Sequence, residues 1–266
     1  VFDIQVGTHA SPMPVPAPLI AVAHGSRDPR SARAVAAAVD GIRASRPDLD
    51  VRLCFLDLSA PSVDQAIDAV AAKGHSSAVV VPLLLGSAFH ARVDLPALLA
   101  AGHRRHPELD LVQAEVLGDD HRLVSAVRDR ITQTGTDLGN PEVGVVLAAV
   151  GSSSETANEL TTRIGPRLLA GTGWAGVEVC FATTGPGVPQ AVSALRARGA
   201  RSIVVAPWFL APGLLTDRIG RSAEDCAPES LQADVIGAHP LLAEVALDRY
   251  AAGVERIAAA RVELSA

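Results

Sequence analysis

The stretch Leu19-Ile-Ala-Val-Ala-His-Gly-Ser-Arg-Asp-Pro29 decides how this chain is read. Leu19 to Ala23 is a short apolar run with the length and composition of a strand buried on both faces. Asp28-Pro29 then supplies a helix start. Aspartate is a good N-cap, and proline is tolerated at the first helical position because its missing N–H would have no partner there. A buried strand passing through a polar loop into a helix opens a βα unit. The helix extends to about Arg46, because Pro47 disfavours helical geometry in the residue before it.

The alternation continues. Strands are predicted over Val51 to Leu56, Ser77 to Leu85 and Leu111 to Val116, with helices over Ser62 to Lys73, Val93 to His106 and Asp119 to Gln133. Four βα units with near-continuous apolar strands imply a parallel sheet covered on both faces. Thr134-Gly-Thr-Asp-Leu-Gly-Asn-Pro141 is polar and rich in breakers, so it reads as a linker. The pattern then recurs with a period of about 126 residues. Val143 to Val150 answers Leu19 to His24, and Val177-Glu-Val-Cys-Phe181 answers Val51-Arg-Leu-Cys-Phe55. Ala200 to Pro207 answers His75 to Pro82, and Asp234-Val-Ile-Gly237 answers Glu115-Val-Leu-Gly118. The predicted fold is α/β: a flexible leader over 1–18, a first domain over 19–133, a linker over 134–141 and a degenerate repeat over 142–266. Each domain carries a four-stranded parallel sheet flanked by helices. Two such halves in contact would form a pseudo-twofold with a cleft between or beside them.

Composition narrows the function classes. Of 266 residues, 48% are hydrophobic and 20% charged, enough for a real core. Aromatics at 3% argue against a base-stacking nucleic-acid binder, and a net charge of −6 offers no global basic field for DNA or RNA. No apolar run approaches the roughly 20 residues of a membrane span. Cys54, Cys180 and Cys226 are too few and scattered for a disulfide framework, and no C-x-x-C suggests a zinc or iron–sulfur site. A reduced, cytoplasmic setting is expected.

In open parallel sheets the ligand site lies beyond the carboxyl ends of the strands. Three ionisable side chains fall there in the first half: His24 after the first strand, Asp57 after the second, and His90 in the loop after the third. They are spaced 33 residues apart, one βα unit per step. The repeat places Val150, Thr183 and Leu215 at the three matching positions, so the scaffold persists while the polar groups vanish together. A single active site kept in the first half explains that loss. Drift after duplication, with His24 and Asp57 as loop hydrogen-bonders, is the alternative. Two imidazoles and a carboxylate suit mid-series divalent metals such as iron, cobalt and nickel. The same groups accept protons near neutral pH. No fourth protein ligand is apparent, which leaves an open site better fitted to passing a metal on than to storing it.

Ala23-His-Gly-Ser-Arg27, Cys54-Phe-Leu-Asp57 and Pro82-Leu-Leu-Leu-Gly-Ser-Ala-Phe-His-Ala-Arg-Val-Asp-Leu-Pro96 together resemble the sirohydrochlorin chelatases, class II enzymes that insert a divalent metal into a tetrapyrrole. The resemblance covers almost the whole first domain, and the repeat domain resembles the degenerate half of the two-domain form. It implies that His24 and His90 handle the metal and the pyrrole protons. Asp57 stands where many members carry glutamate. It implies ferrous iron or cobalt as a substrate metal, with iron favoured, no organic cofactor, and sirohydrochlorin as the partner molecule. Single-domain relatives pair into dimers, so a chain holding both halves is expected to be a monomer. Sirohydrochlorin carries many carboxylates, for which bidentate arginine is the natural partner. Arg27 and Arg92 are the candidate contacts, and Ser26 and Ser87 the candidate hydrogen-bond donors. Ser26 could equally cap the helix, and Arg30 and Arg33 read as a solvated face. Between Leu19 and Gln133 there are 13 basic and 14 acidic side chains, so any positive patch is local.

Other features carry less. Gly171-Thr-Gly-Trp-Ala-Gly176 fits G-x-G-x-x-G, but it lies after a helix and before a strand, the reverse of a dinucleotide fingerprint. His103 and His106 read as a polar helix end. Trp174 and Trp208 read as core or interface, and Cys54 and Cys180 as buried structural thiols. Two rival functions remain. A histidine-phosphatase-like enzyme would want arginine immediately before its histidine, where this chain has Ala23. A non-catalytic tetrapyrrole or metal carrier would use the same residues without turnover.

Overall fold

The computed structural model describes residues 16–86 and 93–264; residues 1–15, which hold most of the expected leader, and 87–92 and 265–266 lie outside the described residues. Two parallel four-stranded sheets form where the apolar runs predict them. In the first, β1 (Leu19–Ala23) lies between β2 (Val51–Phe55) and β3 (Ser77–Pro82), and β4 (Asp110–Gln113) extends the far edge. The order is β2-β1-β3-β4. In the second, β5 (Val143–Ala149), β6 (Gly176–Phe181), β7 (Ser202–Pro207) and the short β8 (Leu231–Gln232) repeat it as β6-β5-β7-β8. Leu19 stands opposite Val51 and Val79, and Val145 opposite Val177 and Val204. In each sheet the order reverses beside the first strand. That reversal opens a crevice at the carboxyl ends of β1 and β3.

The helices start where their caps direct. The Asp28 side chain accepts from the Arg30 N–H and begins α1 (Pro29–Ser45). Ser62 and Gln65 form a reciprocal capping box at α2 (Val63–Ala71). The remaining helices are α3 (Leu95–Arg105), α4 (His121–Thr132), α5 (Glu155–Thr162), α6 (Ile164–Leu169), α7 (Val188–Ala197), α8 (Leu214–Cys226) and α9 (Pro240–Leu264).

Strand alternation divides the apolar side chains among three cores. Ile20, Val22, Cys54 and Val80 face Val63, Ile67, Leu95 and Leu99 on the outer side of the first sheet. Val146, Ala148, Cys180 and Val205 face Val192, Leu195, Ile219 and Ala223 on the outer side of the second. The opposite strand faces, with Leu19, Ala21, Val79, Val145, Leu147 and Val204, share one continuous inner core. That shared core makes the two halves one body.

The fourth helices are exchanged between the halves. α9, from the second half, packs on β3, β4 and α1, while α4, from the first, packs on β7 and α6. Gly253 lets α9 lie against β3, since a Cβ there would stand 2.4 Å from Val79 Cγ1. Matching arginines fasten both helices. Arg130 on α4 donates to the Val235 and Ile236 carbonyls, at 3.1 and 2.9 Å, and Arg249 on α9 donates to the Val116 and Leu117 carbonyls, at 3.0 and 3.2 Å. The βα alternation does not say which sheet the fourth helix covers. The 3.6-residue pattern specifies an apolar face but not which sheet that face meets.

Candidate active site

The site begins with a glycine. Gly25 follows β1 with φ +96°, a region that L side chains rarely adopt, and a Cβ there would lie 1.7 Å from the Asp57 carbonyl oxygen. Without a side chain at 25, the loop after β1 crosses the loop after β2. Hydrogen bonds stitch the crossing together. The Asp57 N–H donates to the His24 carbonyl at 3.0 Å. The Ser26 N–H donates to Ser59 Oγ at 3.2 Å, and Ser59 Oγ donates to the Ser26 carbonyl at 3.1 Å. His24 and Asp57 are thereby brought to one exposed rim at the carboxyl edge of the first sheet. His24 Nδ1 lies 3.3 Å from its neighbour's carbonyl. Asp57 Oδ1 accepts the Leu58 N–H at 2.7 Å. Leu58 itself is in the left-handed region, at φ 59°.

The predicted substrate contacts divide. Ser26 Oγ accepts the Asp28 N–H at 3.0 Å, so it shapes the loop ahead of the helix, where Asp28 is the cap. Arg27 is exposed on the same loop. His90, Ser87 and Arg92 lie outside the described residues.

Arg30 is exposed, as its spacing suggests, but it is also engaged in ion pairs. It donates to both oxygens of Asp217 on α8, at 3.1 and 2.6 Å, and to both oxygens of Asp28. The guanidinium holds both carboxyls below their usual range, mainly through its hydrogen bonds. A chain of contacts thus runs from the second half through Arg30, Asp28 and Ser26 to the crossing at His24. Asp217 had no signal in the sequence, because its partner is 187 residues away.

The second half has the same crossing without the imidazole and the carboxylate. Gly151 has φ +87°, and the Thr183 N–H donates to the Val150 carbonyl at 3.0 Å, atom for atom as Asp57 meets His24. Thr183 Oγ1 also donates to that carbonyl at 2.8 Å, so its hydroxyl proton is spent locally.

Other candidates are structural. Burial pushes the Cys54 and Cys180 thiols up to about 12, so neither is a thiolate near neutral pH. Trp174 and Trp208 are buried in the shared core. His106 Nε2 lies 2.7 Å from Asp68, and His103 Nδ1 lies 3.3 Å from the Leu109 carbonyl. Among the described residues, no group of three or more His, Cys, Asp or Glu is placed to hold a metal. A groove of about 450 Å³ is lined by Asp217, Arg221, Glu224 and Asp234, and another of about 380 Å³ lies between α3, β4 and α9. Neither touches His24 or Asp57.

Comparison with known proteins accords with this duplicated architecture. The CbiX family model matches residues 18–134 and again 144–252. The chain belongs to the CbiX family. Among curated relatives, a sirohydrochlorin cobaltochelatase of Priestia megaterium is 28% identical over 246 residues, covering 88% of this chain and 79% of the relative. A sirohydrochlorin ferrochelatase of the same organism is 29% identical over 232 residues, covering 84% and 85%. Among solved structures, the sirohydrochlorin chelatase SirB of Bacillus subtilis subspecies spizizenii in complex with cobalt superposes with a TM-score of 0.74 at 25% identity, covering 90% of this chain and 95% of that one. SirB from Bacillus subtilis with Fe3+ superposes with a TM-score of 0.75 at 27% identity, covering 88% and 93%. This CbiX-family chain therefore shares the two-domain α/β fold of SirB.

Proposed function

We propose that this chain is a chelatase that inserts a divalent metal, ferrous iron in preference to cobalt, into sirohydrochlorin for sirohaem or cobalamin biosynthesis. One observation carries the reading. At the carboxyl edge of the first sheet, the Gly25 crossing sets an imidazole and a carboxylate on one rim, and the matching crossing at Gly151 carries only Val150 and Thr183. Family membership supports it, since relatives of both metal specificities are sirohydrochlorin chelatases.

The reaction forms four nitrogen–metal bonds and expels the two pyrrole N–H protons. Groups are needed that shed a metal readily and accept protons near neutral pH, and imidazole does both. His24 and His90 present the metal to one face of the macrocycle or take the protons, and Asp57 assists. Asp57 Oδ1 is tied to the Leu58 N–H, which fixes the carboxylate's direction and leaves Oδ2 for the incoming cation or proton. Arg27 and Arg92 pair with the carboxylates of the substrate, and Ser87 and Ser26 offer it hydrogen bonds. No organic cofactor takes part. The chain works as a cytoplasmic monomer without nucleic-acid or membrane partners. The exchange of α4 and α9 supports a monomer, because each sheet finds its inner cover within one chain. Among the described residues no helix is long and apolar enough to cross a membrane.

The test is anaerobic insertion with purified protein, sirohydrochlorin and ferrous iron, then cobalt, followed by macrocycle absorbance against the uncatalysed rate. Multiple turnovers, faster with iron, are expected. No acceleration with either metal would overturn the reading, and stoichiometric binding alone would assign a carrier.

A further inference from the structure

Two large apolar side chains stand exposed beside the His24 loop. Leu58 follows Asp57, is 49% exposed, and occupies the left-handed region that disfavours a residue with a Cβ. Leu214 is the first residue of α8 and is 71% exposed. Its neighbour Leu215 turns the other way and packs on the outer core of the second sheet.

The place of Leu214 is fixed by contacts on both sides. A Cβ on Gly213 would lie 4.0 Å from the Asp28 side chain, so the chain enters α8 against the start of α1. Three residues on, Asp217 receives both hydrogen bonds from Arg30. Residues three apart share one side of a helix. Leu214 therefore lies on the side of α8 that meets α1, next to the loop that carries His24. One leucine comes from each half, and the Arg30–Asp217 pair fastens the second half in register with the first.

We propose that Leu58 and Leu214 are substrate-contacting residues that hold the tetrapyrrole against the His24 rim. The proposal rests on the chelatase reading and assigns the second half a part in substrate binding. A tetrapyrrole is a flat, largely hydrocarbon ring edged with carboxylates. Aliphatic side chains have no lone pair to compete for the metal, so they cover ring carbon and leave the pyrrole nitrogens to the imidazole. The exposed leucines leave water when the ring arrives, which favours binding. A left-handed leucine at this rim is the kind of strain that functional sites retain.

The experiment measures equilibrium binding of metal-free sirohydrochlorin to the full chain by absorbance, together with KM and kcat for insertion. The variants are Leu58→Ser and Leu214→Ser, with Val262→Ser as the control. Val262 is 69% exposed on α9, one residue from Arg261, which bonds Ser76 at the amino end of β3 on the opposite rim. Each leucine variant is expected to weaken binding and raise KM by at least about fivefold while kcat stays within about twofold of wild type. Val262→Ser should match wild type. Wild-type affinity in both leucine variants, with turnover intact, overturns the leucine pair and leaves the chelatase reading standing. If wild type neither binds nor metallates sirohydrochlorin, the chelatase reading fails and this proposal falls with it.

Discussion

Replacing Gly25 with alanine should damage turnover more than any other single-methyl change in the chain. The new Cβ would stand 1.7 Å from the Asp57 carbonyl oxygen, where ordinary contact begins near 3.4 Å. The two loops must part by more than about 1.5 Å to reach ordinary contact distances. Three hydrogen bonds span the crossing: Asp57 N–H to His24, Ser26 N–H to Ser59, and Ser59 Oγ to Ser26. At about 1 kcal/mol each, with about 1–2 kcal/mol for a Cβ at positive φ, Gly25→Ala loses about 4–5 kcal/mol if all three break. The displaced His24 and Asp57 lose the geometry of the rim, and a shift of about 1 Å in a reacting group costs on the order of 100-fold in rate. Gly151 is the internal control. It has a similar φ of +87°, but its Cβ would meet side-chain atoms of Thr183 and Thr184 at 2.9 Å rather than a backbone carbonyl. Gly151→Ala should lose about 1–2 kcal/mol, the cost of the backbone conformation, and keep near wild-type turnover. Urea unfolding and anaerobic insertion read the two quantities. Full turnover in Gly25→Ala, or an equal loss in Gly151→Ala, would refute the reasoning.

Three further outcomes follow from the packing. Asp120 accepts two hydrogen bonds from the Arg122 guanidinium and one from the Arg122 backbone N–H, which lower its carboxyl from 3.8 to about 2. A depressed acid stabilises the fold above its unfolded value and loses that contribution as pH falls through the folded one. Asp120→Asn should therefore cost about 2 kcal/mol at pH 7 and flatten that part of the urea-midpoint profile between about pH 4 and pH 2. Gly253→Val on α9 forces two methyl groups toward Val79 and should lower stability by about 1–3 kcal/mol in thermal melts, whereas an unchanged melting temperature would contradict the close packing of α9 on β3. A chain ending at residue 140 would lack α9, leaving the inner faces of β3 and β4 bare and α4 without β7. Sedimentation should find it dimeric through reciprocal helix exchange, or unfolded, and a well-folded monomer would contradict the exchange.

Much of the fold was legible because the strands are short apolar runs with clear stops. β1, β2 and the start of β3 fall where the sequence puts them, and Asp28 caps α1 as expected. The two sheets were legible from the repeat, and the matched hydrogen bonds at Asp57 and Thr183 bear out that alignment. Strand ends were less clear: β3 stops at Pro82, short of Leu85, and the fourth strand begins at Asp110. Helix exchange was not legible, because an amphipathic face has no address. For the candidate site, strand ends and spacing pointed to His24 and Asp57, which do share a rim. Their means of meeting was hidden, since a glycine after a strand gives no sign of which backbone will pass over it. The i, i+3 spacing of Arg30 and Arg33 marks an exposed face, which Arg30 keeps, but only the three-dimensional structure brings Asp217 to it. His90, Ser87 and Arg92 rest on the sequence, as they lie outside the described residues.

The duplicated scaffold turns one comparison into a direct test of where the chemistry lies. The measurement is the anaerobic insertion rate of His24→Ala beside Val150→Ala, residues that occupy the same place in the two loop crossings. Turnover should fall by about 100-fold or more in His24→Ala, the usual worth of a proton-transfer group or metal ligand, and stay near wild type in Val150→Ala. Equal rates in the two variants, or a larger loss in Val150→Ala, would contradict a single active site in the first half.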